Sequence, residues 1–100
     1  MNDALLNLLR GGGYILYARH GEATVGDDQP DLNFRDCATQ RNLSEIGRIQ
    51  AIYYGEYLRA LQIPVSHPII ASPFCRTVET AQLAFRGANI SVDPFWVEIY

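Results

Sequence analysis

The chain has 100 residues, 48% of them hydrophobic and 19% charged, and a formal net charge of −3. This length and composition exclude a multidomain assembly and a disordered chain, and the mild negative charge argues against a general nucleic-acid or anionic-membrane binder, which carries a basic surplus. All eight basic residues are arginine, whose planar fork of donors suits bidentate contact with phosphate or carboxylate oxygens.

In chain order, Asp3 is placed to cap a short helix carrying Leu5, Leu6, Leu8 and Leu9, which Gly11-Gly12-Gly13 stops. The N-terminal MNDALLNLLRGGG lacks the basic start of a signal peptide, and no segment is long enough to span a membrane. A cytoplasmic protein is therefore expected, with export as the alternative. Tyr14 to Ala18 is apolar on both alternating faces, as in a parallel strand covered by helices. From Gly21 to Arg41 the chain is polar and reads as a long loop of the kind that often serves function.

Ser44 is a good N-cap for a second helix, in which Ile46, Ile49, Tyr53, Tyr57 and Leu61 recur at helical spacing until Pro64. Ile69, Ile70 and Ala71 predict a second strand. Ser72-Pro73 then opens a third helix with Pro73 in its first turn and Phe74, Val78, Ala81 and Phe85 along one face. Ile90 and Val92 predict a third strand before Pro94. This alternation gives an α/β fold, a three-layer α/β/α arrangement around a mainly parallel sheet. No capping signal follows Val97-Glu98-Ile99-Tyr100, so residues 1–100 read as one incomplete domain.

Ligands of open α/β sheets bind beyond the carboxyl ends of the strands. Arg19-His20-Gly21 ends the first strand, and Ser72 to Arg76 ends the second while entering a helix N-terminus. The predicted edge thus gathers one imidazole, two guanidinium groups and a helix N-terminus, a cradle for phosphate. Gly21 is where the strand is expected to turn so that Arg19 and His20 cooperate. A neutral imidazole there can attack phosphorus and form a phosphohistidine, with the positive charge stabilising the transferring group. Taken alone, a histidine at a strand end is more often structural than catalytic. Cys37 and Cys75 lack the close spacing of a zinc motif. Two free thiols, or one disulfide in an exported protein, are the readings left.

At these residues the sequence resembles the histidine phosphatase superfamily, the phosphoglycerate-mutase-like fold. Arg-His-Gly-Glu at the first strand end is similar to the family signature. NLSEIGRIQA resembles the segment entering the second helix, and ASPFCRTVETAQLAF resembles the Ser-Pro-x-x-Arg-x-x-x-Thr-Ala segment. The resemblance implies that His20 is the phosphorylated nucleophile and that Arg19 and Arg76 hold the phosphoryl oxygens, beside Gly21. It implies Glu98, in Val97-Glu98, as the acid that protonates the leaving alcohol. Glu22 belongs to the signature and is expected to organise the site as a loop carboxylate. The family's second pocket histidine has no counterpart: His67 precedes the second strand in a Ser-His-Pro turn and reads as a solvated turn residue.

Within FRDCATQRNLS, Arg35, Gln40 and Arg41 are placed either to reach over the pocket and read the leaving group or, for Arg41, to support the helix start. Cys37 and Cys75 fall near the same edge, where a disulfide would tie loop to helix. The implied function is a phosphatase acting on a phosphorylated small molecule or a phosphoprotein. The alternatives are a phosphoglycerate-type mutase and a non-catalytic phosphate-binding module. No metal or organic cofactor is implied, because the histidine mechanism needs neither. An open sheet edge invites pairing with a second copy of the chain.

Overall fold

In the computed structural model, residues 3–13 and 15–97 are described, and the α-helices and strands run in the order α1, α2, β1, α3, β2. Helix α1 spans Asp3–Arg10. It stops because Gly12 and Gly13 take φ values of 77° and 82°, a region glycine enters without a Cβ penalty. The Gly11 and Gly12 N–H groups bond back to the carbonyls of Asn7, Leu8 and Leu9. Arg10 Nε donates to the Leu61 carbonyl at 2.8 Å, which ties α1 to the end of the second helix.

Helix α2 spans Glu45–Ala60, and its predicted cap is present: Ser44 Oγ accepts the Gly47 N–H. Strand β1 (Ile69–Ala71) pairs in parallel with β2 (Ile90–Val92), Ile69 lying opposite Ile90, and helix α3 (Cys75–Ala84) connects them. The α/β class and the parallel pairing are therefore as predicted. Helix α3 starts two residues later than expected, with Phe74 as N-cap and Pro73 outside it. The described contacts, α2 on α3 and α3 on both strands, do not by themselves establish three layers.

Two expectations are corrected. The stripe Ile46, Ile49, Tyr53 and Tyr57 does not face the core, since each of these residues is more than half exposed. Helix α2 instead buries Gly47, Ala51, Gly55 and Leu58. The reason is close approach. A Cβ on Gly55 would collide with the Ala84 carbonyl oxygen, and one on Gly47 with the Glu22 carbonyl oxygen. Small residues let backbones meet where isoleucine and tyrosine would hold them apart.

The second correction concerns the first strand. Ile15 to Ala18 carries no strand structure and its side chains are exposed, so the sheet of the described residues has two strands. A cleft of about 670 Å³, bordered by Leu16 and Tyr17 as well as by Ile69 to Ala71, separates this segment from β1. Ladder hydrogen bonds require strands about 4.8 Å apart, and among the described residues β1 forms its ladder with β2 alone. Cys37 and Cys75 form a disulfide that joins the 3-10 turn Cys37–Thr39 to the first residue of α3. Among the described residues no helix is long and apolar enough to cross a membrane.

Candidate active site

His20 sits half-buried at the mouth of the cleft, which Ser72, Thr77 and Thr80 also line. Its Nδ1 lies 2.6 Å from the Gly21 carbonyl oxygen. A carbonyl only accepts, so Nδ1 carries the proton and Nε2 holds the lone pair of the neutral ring. Burial is the largest influence on this imidazole and lowers its pKa. The Gly21 carbonyl opposes that shift, while the charges of Arg76, Arg19 and Arg41 add to it, for a net value below 6.5. The ring is therefore biased towards its neutral, nucleophilic form.

Gly21 is needed for a reason other than the one the sequence suggested. It is not among the glycines with positive φ. A Cβ there would instead strike the Gly47 carbonyl oxygen at the start of α2. The Gly21 N–H donates to Thr80 Oγ1 at 3.2 Å, and Thr80 Oγ1 donates to the Arg76 carbonyl at 2.7 Å. The His20 backbone is thus tied to the same helix that carries Arg76. Glu22 organises the neighbouring helix start: its carbonyl accepts the Ser44 N–H at 2.9 Å, and Ser44 Oγ donates to its carboxylate at 3.3 Å.

Arg76 is only 2% exposed. Its Nη1 donates to Asp28 Oδ1 at 2.9 Å and to the Arg41 carbonyl at 3.1 Å, and its guanidinium carbon lies 4.2 Å above the Phe74 ring. Arg41 donates its N–H to Asp28 Oδ1 at 2.8 Å and its Nε to the Thr24 carbonyl at 2.7 Å. Arg41 therefore braces the loop rather than the helix start, while its charge still reaches His20. Arg19 is exposed beside His20.

Gln40 does not reach over the pocket. It is buried, and its Oε1 accepts the Cys75 N–H at 2.7 Å while its Nε2 donates to the Asn33 carbonyl at 3.1 Å. The Cys75 donor at the start of α3 is thus spent within the protein, which removes part of the expected helix N-terminal anion site. Arg35 is exposed. His67 is exposed in the bend before β1, at the opposite end of that strand from Ser72. Glu98 lies outside the described residues.

Sequence reasoning missed Asp28 and gave Thr80, the threonine of the Ser-Pro-x-x-Arg-x-x-x-Thr-Ala segment, no role. Thr80 had a signal, since it follows Arg76 by four residues and shares its helix face. Asp28 had none, because its contact with Arg76 spans 48 positions. The loop carries four aspartates, Asp27, Asp28, Asp31 and Asp36, and nothing local distinguishes Asp28 from the others.

Comparison with curated proteins finds no match, and comparison with solved structures finds none either. The family model for the histidine phosphatase superfamily (branch 1) matches residues 15–100. That span takes in the His20 segment, the capped start of α2 and the Arg76 helix in a single alignment, and with it the chain belongs to the histidine phosphatase superfamily.

Proposed function

We propose that the protein is a phosphatase that hydrolyses a phosphomonoester through a phosphohistidine on His20. The observation that carries this reading is the placement of His20, whose Nδ1 lies 2.6 Å from the Gly21 carbonyl oxygen and whose ring is biased towards its neutral form by burial and the charges of Arg76, Arg19 and Arg41. Nε2 attacks phosphorus, the P–O bond to the alcohol breaks, and the alcohol oxygen takes a proton from an acid. The family resemblance nominates Glu98 for that proton. Water then attacks the phosphohistidine and gives its proton to the conjugate base of that acid, the N–P bond breaks with its electron pair returning to Nε2, and inorganic phosphate leaves.

The role of the arginines is electrostatic. Loose phosphoryl-transfer transition states spread charge over the three equatorial oxygens, and guanidinium groups fixed in advance stabilise it without reorganising. Arg76 and Arg19 are proposed to hold those oxygens, and Arg41 to add field from the loop. The apolar cleft beside His20 suits the alcohol side of a small phosphomonoester.

The test is chemical. The full chain is incubated with a labelled aryl phosphate, quenched in base, and digested. Base-stable, acid-labile label on a peptide containing His20, absent from His20→Ala, is the expected result. Phosphate release that survives His20→Ala, or no label on a protein with native circular dichroism, would reject the assignment.

A further inference from the structure

Asp28 is a carboxylate standing within a site built to attract anions, so its placement calls for an explanation. Its Oδ1 accepts from both the Arg41 N–H at 2.8 Å and Arg76 Nη1 at 2.9 Å, and its Oδ2 lies 3.4 Å from Arg76 Nη2. Arg76 Nη1 returns its second hydrogen to the Arg41 carbonyl at 3.1 Å. The three residues close a ring in which one edge of the Arg76 guanidinium is held by Asp28 and one face by the Phe74 ring. We propose that Asp28 is a positioning residue that presets the Arg76 guanidinium for phosphate, acting through Arg76 rather than on the substrate itself.

This inference rests on the phosphatase reading. Three features favour positioning over proton transfer. Burial works to raise the Asp28 carboxyl, but the Arg41 N–H, the Arg76 hydrogen bond and both guanidinium charges outweigh it, leaving the group below its usual 3.8. A carboxylate held that firmly ionised is a poor acid near neutrality. Its hydrogen bonds also go to the binding arginine and to the backbone of the arginine next in the loop. Finally, an arginine carries large rotamer freedom. A partner that removes this freedom before phosphate arrives spares the ligand the cost of ordering it.

The experiment measures inorganic phosphate binding to the full chain by calorimetry, together with kcat and KM for an aryl phosphate, in the unaltered protein and in Asp28→Ala and Asp28→Asn. Asp28→Asn keeps an oxygen at the Oδ1 position, whereas Asp28→Ala removes the clamp. Asp28→Ala is expected to weaken phosphate binding and raise KM by about tenfold, the cost of ordering one long side chain, with kcat moving by less than about threefold. Asp28→Asn is expected to stay within about threefold of the unaltered protein in binding. A merely structural residue would lower the active fraction and hence kcat while leaving KM in place.

Asp28→Ala binding phosphate as tightly as the unaltered protein, or more tightly, would overturn the proposal and make Asp28 a competitor for the fork. If Asp28→Ala fails to fold, Asp28→Ser is measured against the same expectation. Failure of the unaltered protein to bind phosphate or to label His20 would reject the phosphatase reading itself. Normal binding and labelling with no effect of Asp28 substitution would reject this inference alone.

Discussion

His20 is an imidazole whose surroundings dictate its pH behaviour. In the proposed mechanism its neutral ring is the nucleophile, so activity is expected to rise with pH through a pKa that burial and three guanidinium charges hold below 6.5. The acid limb of kcat/KM is therefore expected below pH 6.5, and a limb at or above that value would contradict the proposed environment. Arg19→Gln should move the limb upward yet leave it short of 6.5, because burial and not charge is the largest cause. Folding responds in the matching sense. Below pH 6.5 the unfolded chain takes up this proton more readily than the native one, so protonation of His20 weakens the native state as the pH falls. The sequence made His20, Arg19, Gly21 and Arg76 legible because they fall at a strand-like end and a helix start. It did not make Asp28 legible, since only the folded loop brings that carboxylate to Arg76.

Among the elements, the contact between α2 and α3 depends on glycine rather than on the isoleucine and tyrosine stripe. Arg59 Nη1 donates to the Ala84 carbonyl at 2.9 Å across the same contact, and Ala84 is 1% exposed. Gly55→Ala would gain about 1 kcal/mol of helix propensity. The added methyl would meet a backbone carbonyl, which cannot rotate away, and overpacking of this kind costs roughly 1–3 kcal/mol and sometimes more. The expected net effect is a loss of stability, seen as a melting temperature lower by about 5 °C or more. An unchanged or raised melting temperature would show that the helices stand further apart. Helical spacing identified α2 correctly, yet it did not reveal which face is buried. Both faces are helix-compatible, and the choice is made by the partner that must come closest.

At the scale of the whole molecule, the core is small: among the described residues, five of the nine buried apolar residues are alanine. Such a core leaves a large share of stability to covalent restraint. The Cys37–Cys75 disulfide closes a loop across a sequence separation of 38 residues. Closing a loop of that length stabilises by about 4 kcal/mol through the unfolded chain, a substantial part of the roughly 5–15 kcal/mol typical of a domain. Reduction with a dithiol, or Cys37→Ser, should lower the urea midpoint accordingly. Two thiols reactive without reductant, with an unchanged midpoint on adding it, would disprove the link. The bond also holds the loop bearing Asp28, Gln40 and Arg41 against the start of α3, so core and site share one restraint.

The sequence by itself determined the alternation of elements, the cap at Ser44, the strands at Ile69–Ala71 and Ile90–Val92, and the signature around His20. All of these are written in residues close along the chain. Tertiary structure alone decided that Cys37 meets Cys75, that Asp28 grips Arg76, that α2 turns its glycine face inward, and that the Ile15 to Ala18 segment stands away from β1. The physical reason is common to these features. Local pattern sets backbone conformation and periodicity, while pairing, facing and close approach depend on what distant segments leave room for.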